Sequence, residues 1–161
     1  MSSANDVPQH EAEEFCKAHG LRMIVLSFQG AEHALASDFN EHIGPLEFLN
    51  LIRHASAVVT NSFHGSCFCA LFQVPYAICL QEGEMASQNI RFISTHKRLG
   101  QEWRIFHVGG LHASMLETKP ADALPLLEEW RNKSRRYLVE HLQAIDEENK
   151  SNGRRKGGVS R

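Results

Sequence analysis

At 161 residues, with 42% apolar and 22% charged side chains, the chain has the size and balance of one globular domain plus a tail. A formal net charge of −2 removes any overall pull toward nucleic acid or anionic membrane, so neither is an expected partner. No apolar run reaches the length of a transmembrane segment and residues 1–10 lack an apolar signal core, which makes the cytoplasm the expected compartment.

The first elements alternate. Residues 1–7 are polar and expected to be disordered, and 8–19 predicts an amphipathic helix with Pro8 near its start, acidic early turns and Gly20 as a stop. The apolar run 21–28, Arg22 excepted, predicts a buried parallel strand, and 29–43 has the polarity and lack of period of a loop. Gly44-Pro45 announces a helix over 46–54 with Phe48, Leu49 and Ile52 on one face.

The run 55–59 predicts a short strand, 65–73 a helix of small apolar residues, and 75–80 a further strand. An acidic loop over 81–87, with Glu82 and Glu84, leads into a helix over 88–99 that stops at Gly100. A short strand over 103–108, a connection over 111–120 and a long amphipathic helix from Asp122 to near Glu147 complete the pattern. The basic, Gly-rich end of the chain predicts a disordered tail over 149–161. The expected domain is thus 8–148, an α/β fold with a Rossmann-like parallel sheet and helices on both faces. No G-x-G-x-x-G follows a strand, so the dinucleotide fingerprint is missing.

Chemistry gathers at one turn. Val58-Val59 ends a strand, Thr60-Asn61-Ser62 are strand-ending and helix-capping residues, and Phe63-His64-Gly65-Ser66 opens the next helix. Such a junction points backbone N–H groups at an anion, and it lies at the carboxyl end of a strand, where open α/β sheets bind ligands. His64, Asn61, Ser62, Gly65 and Ser66 are the candidate site residues there. The four cysteines, Cys16, Cys67, Cys69 and Cys79, follow neither C-x-x-C nor zinc spacing and read as buried free thiols. The ten histidines show no H-E-x-x-H pair, so neither a metal nor a cofactor is expected.

These residues carry a family likeness. The run Gly44-Pro45-Leu46-Glu47-Phe48-Leu49, then Ile52, then A-S-A-V-V-T-N-S-F-H-G over 55–65 resembles the "P-x-x-F-L-x-L-I … A-x-x-V-V-T-N-S-F-H-G" block of the polysaccharide pyruvyl transferase family. Phe68 and Phe72-Gln73-Val74-Pro75 resemble its "F … F-x-x-P" continuation. Asn89-Ile90-Arg91-Phe92 looks like its "N-x-R-I" segment, Leu99-Gly100 like its "L-G-L" helix end, and Leu127 to Leu138 like its closing "L-x-x-x-R-x-x-S-x-x-x-L" helix.

The resemblance implies the C-terminal domain of a GT-B-like fold, in which two Rossmann-like halves enclose a cleft. It also implies transfer of a pyruvyl group from phosphoenolpyruvate to two hydroxyls of a glycan or lipid-linked sugar acceptor, with a ketal and phosphate as products. His64 matches the motif histidine, in a general-acid or phosphate-contact role, and Asn89 and Arg91 join the substrate-binding set. The chain has room for one half only, so a partner chain supplying the other half is an expected partner. Other branches carry Arg where Ser62 stands; Ser brings no charge, so Arg91 or another cation takes over, or the donor differs. Two rivals remain open at this point: a GT-B-type glycosyltransferase using a nucleotide sugar, and a non-catalytic domain that binds an anion or completes a partner.

Overall fold

The computed structural model describes residues 9–26 and 43–156. It divides into two units, an α/β unit ending at Leu124 and a helical unit from Pro125 onward. The expected disorder of 1–7, the loop over 29–42 and the end of the tail at 157–161 lie outside the described residues.

α1 spans Gln9–His19, with Glu11 in its first turn and Lys17 and His19 in its last, the arrangement that complements a helix dipole. Gly20 ends it at φ +63, a conformation that costs a residue without Cβ nothing. The strand expected over 21–28 is reduced in the described part to an isolated bridge at Val25, and 27 and 28 are not described. α2, Pro45–His54, starts on Pro45 and buries Ile52.

The sheet then forms from β1 (Val58–Thr60), β2 (Tyr76–Cys79) and β3 (Ile105–Phe106), all parallel and in the order β1-β2-β3. α3 (Phe63–Phe72) joins the first pair of strands and α4 (Asn89–Arg98) lies in the second connection. Val58 pairs with Tyr76 and Ile78 with Ile105, which brings the carboxyl ends of all the strands to one edge. The fold is therefore the expected open parallel α/β sheet.

β2 is buried along its whole length, as a strand covered on both faces must be. Alternate side chains divide the labour. Ala77 and Cys79 pack with Phe106, with Met115 and Leu116 of α5 (Ala113–Glu117) and with Phe15 of α1. Tyr76 faces the other way, its ring edge-on to His96 of α4 at 5.6 Å. Burial of Cys79 in this packing pushes its thiol up to about 11, and that of Cys69 in α3 goes to about 12. All four cysteines are free; Cys16 and Cys67 are half-buried rather than buried.

Arg104 is fully buried, an exception to the rule that guanidinium groups stay wet. Its Nε donates to Gln101 Oε1 at 2.6 Å, its Nη1 to the carbonyls of Tyr76 (3.0 Å) and Met115 (2.6 Å), and its Nη2 to that of Thr118 (2.7 Å). The guanidinium also lies over the rings of Tyr76 (4.8 Å) and Trp103 (4.1 Å). One cation thereby ties the start of β2 to the middle of α5 and to the residue that caps its carboxyl end. Burial lowers its pKa, and the neighbouring Tyr76 and Cys69 oppose the shift.

Several elements differ from expectation. The acidic loop 81–87 contains a 3₁₀ turn, Gly83–Gln88. The strand expected over 103–108 is a 3₁₀ turn, Glu102–Arg104, followed by the two residues of β3. The connection 111–120 holds α5. The final helix, α6, runs Ala123–Lys156 and so continues past its expected end near Glu147, into the segment expected to be a disordered tail.

Candidate functional site

β1 ends at Thr60, and the chain turns over Asn61 and Ser62 into α3. Ser62 is the N-cap: its extended backbone precedes the helix and its Oγ accepts the Gly65 N–H at 3.3 Å. Thr60 Oγ1 accepts the Ser62 N–H at 3.0 Å and closes the turn. A Cβ on Gly65 would sit 3.0 Å from Thr60 Oγ1 and 3.4 Å from the Ser62 Cβ, so the tightness of the turn calls for glycine. Ser66 is buried, its Oγ donating to the Phe63 carbonyl at 2.8 Å. Ser62, Gly65 and Ser66 thus shape the turn, and Ser62 keeps one hydroxyl proton to give elsewhere.

His64, second residue of α3, is exposed. The first N–H groups of a helix have no intrahelical acceptor, so Phe63 and His64 present theirs at this edge. Phe63 connects His64 to the other candidate cation. Its ring meets the imidazole edge-on at 5.9 Å, the Arg91 guanidinium lies 5.2 Å from its centre, and Phe92 buttresses it at 5.8 Å. His64 and Arg91, 27 positions apart (91 minus 64) in sequence, are both held against one ring at the carboxyl edge of the sheet.

Gln81, two residues past the end of β2, joins the two motif segments. Its Nε2 donates to the Asn61 carbonyl at 3.2 Å, its N–H donates to Asn89 Oδ1 at 3.0 Å, and its carbonyl accepts Asn89 Nδ2 at 2.8 Å. Asn89, a candidate ligand on sequence grounds, spends its amide on the Gln81 backbone. Gln81 Oε1 is a buried acceptor with no partner among the described residues. Sequence reasoning passed over both Gln81 and Phe63. The signal for Gln81 was present: it is the first polar residue after an all-apolar strand, at the carboxyl end where such sheets bind ligands.

The comparisons with known proteins bear on this arrangement. Residues 5–81 match the family model of polysaccharide pyruvyl transferase. That match supports the family, whose reaction class is pyruvyl transfer to polysaccharides. It covers α1, α2, β1, the His64 turn, α3 and β2, and closes on Gln81. The family likeness of Asn89, Arg91 and the final helix lies beyond the matched residues. No curated protein and no solved structure matches the chain.

Two further observations limit the site. A shallow depression of about 450 Å³, lined by Arg53, Gln73, Pro75 and Lys119 among others, opens where β2 begins, at the opposite edge of the sheet from His64. Its charged lining is Arg53, Lys119 and Glu117, and none of the candidate site residues reaches it. Among the described residues no helix is long and apolar enough to cross a membrane, and no three His, Cys, Asp or Glu side chains gather around a metal-sized space.

Proposed function

We propose that the His64–Phe63–Arg91 edge is the donor end of a pyruvyl transferase site and that the donor is phosphoenolpyruvate. The observation that carries the reading is the convergence of an exposed imidazole and a guanidinium on Phe63, beside the α3 N-terminus. Phosphoenolpyruvate has a phosphate and a carboxylate; Arg91 suits one as a bidentate partner and the helix N–H groups suit the other. Arg91 takes the part that Ser62 cannot, since a hydroxyl carries no charge.

The chemistry follows from the donor. His64, as imidazolium, gives its proton to the methylene carbon, which becomes a methyl group. A sugar hydroxyl adds to the carbon that bears the phosphate, and its proton returns to the imidazole. The C–O bond to phosphate then breaks, phosphate leaves with the electron pair, and the second hydroxyl closes the ketal, its proton passing to the departing phosphate. Asn61 and Asn89 hold the turn and Arg91 in place through Gln81. The acceptor is a glycan or lipid-linked precursor sugar, bound by a second Rossmann-like half of GT-B type on a partner chain or on a longer form of this one. The reaction takes place in the cytoplasm, beside the supply of donor.

Calorimetric titration with phosphoenolpyruvate, UDP and inorganic phosphate tests this. Selective phosphoenolpyruvate binding that weakens at least tenfold in both His64→Ala and Arg91→Ala is the expected result. Selective UDP binding, or phosphoenolpyruvate binding indifferent to both substitutions, overturns the donor assignment.

A further inference from the structure

The helical unit carries a surface that the proposed reaction does not use. In α6, Leu138, Leu142 and Ile145 are 58%, 64% and 55% exposed. Together with Arg131 and Arg135 they recur at alternating intervals of four and three, the spacing of a helix–helix seam. Isolated exposed apolar side chains need no explanation, but three on one seam do.

Charge is distributed unevenly about this apolar centre. Arg131, Lys133, Arg135 and Arg136 precede it, and Asp146, Glu147 and Glu148 follow it. Arg131 donates to Glu128 at 2.6 Å and Lys150 donates to Asp146 within the same helix. Both pairs are exposed, so each is worth little and leaves its charge available to a second partner. A parallel pairing of two such helices would set arginine against arginine and aspartate against aspartate. An antiparallel pairing centred near residue 140 does the reverse. Leu138 of one copy then meets Leu142 of the other, Arg135 comes alongside Ile145 and Asp146, and Arg131 approaches Glu148.

We propose that this face of α6 pairs antiparallel with the same face of a second copy of the chain. The apolar centre supplies attraction, and the flanking charges fix the direction of pairing. The interface is self-complementary, as a two-fold dimer requires.

Sedimentation equilibrium of the full chain tests the proposal. The expected result is a concentration-dependent dimer whose dissociation constant rises about tenfold between about 50 and 500 mM salt, because screening removes the flanking attraction. L138E/L142E should be monomeric with unchanged helix content by circular dichroism. R131E/R135E alone and D146K/E148K alone should also be monomeric, while an equimolar mixture of those two variants should dimerise. A wild-type chain that stays monomeric at every concentration overturns the proposal, and would mean that the face is covered by the chain's own α/β unit or by a different protein. A dimer that survives L138E/L142E, or a mixture that fails to restore pairing, overturns it equally.

Discussion

Asn89 satisfies both backbone polar groups of Gln81, accepting its N–H at 3.0 Å and donating to its carbonyl at 2.8 Å. A side-chain amide here replaces a neighbouring strand, just where β2 has run out of sheet. Asn89 also begins α4, which carries Arg91 two residues later. Replacing Asn89 with Leu leaves a part-buried donor and acceptor without their partner, at a cost of about 1 kcal/mol. The expected outcome is a lower urea midpoint together with weaker phosphoenolpyruvate binding in a protein whose His64 is untouched. Full retention of both would show that the bonds to Gln81 hold nothing in place.

Arg104 should be far less tolerant of change than an average arginine. Arg104→Met keeps most of the volume but strands the carbonyls of Tyr76, Met115 and Thr118 and the amide oxygen of Gln101. The expected loss of stability is about 3 kcal/mol or more. Arg104→Lys should fall well short of rescue, since one ammonium cannot reproduce a planar fork that serves acceptors in several directions. Denaturant unfolding of the two variants measures this directly.

His96 is buried, and its Nδ1–H donates to the Phe92 carbonyl at 3.0 Å. Burial pushes its pKa below the ordinary 6.5, the bond to the Phe92 carbonyl opposes the fall, and Arg104 adds to it. The unfolded chain therefore binds this proton more readily than the folded one. Its contribution is fully present above about pH 6.5 and is lost as pH falls from there toward the lowered folded value. Urea midpoints between pH 7.5 and pH 5 should decline in the native chain and decline less in His96→Gln; equal slopes would remove His96 as the source.

The Tyr76 hydroxyl is buried with no hydrogen-bond partner among the described residues. Its ring still packs against Arg104 and His96. Tyr76→Phe keeps the ring and removes the stranded group, so stability should stay level or rise by about 1 kcal/mol. A clear loss in thermal unfolding would mean that the hydroxyl has a partner that matters.

The parts of this fold legible in the sequence are those where one residue type repeats over a whole element. β2 announced itself as an apolar run, and α2 through Gly44-Pro45 and an apolar face. The His64 turn was legible because capping side chains, a glycine and a strand end coincide within ten residues, 58–67. Arg104 was not, because a cation in a mixed run looks the same whether solvated or buried; its carbonyl acceptors sit 28, 11 and 14 positions away. α5 is five residues long, too short for any period to show. The end of α6 was misplaced because the apolar stripe stops near Ile145, while backbone hydrogen bonding needs no stripe to continue. Gln81 escaped notice because its role is fixed by which two segments the topology brings beside it.

The way α1 is fastened has a consequence for how the chain comes together. Glu11 accepts the N–H groups of Gly109 and Leu111, each at 3.4 Å, and His19 reaches Glu117 at 3.2 Å, so the helix is moored to partners 98 to 100 positions later. Contacts of that sequence separation form late and slow the search for the native state. A ribosome-bound chain that has emerged only as far as β2 already has the whole His64 turn, yet nothing for Glu11 or His19 to hold. The His64 turn can thus be born before the polar moorings of the first helix exist, and the cluster that covers Phe15 is complete only once Phe106, Met115 and Leu116 have joined Ala77 and Cys79.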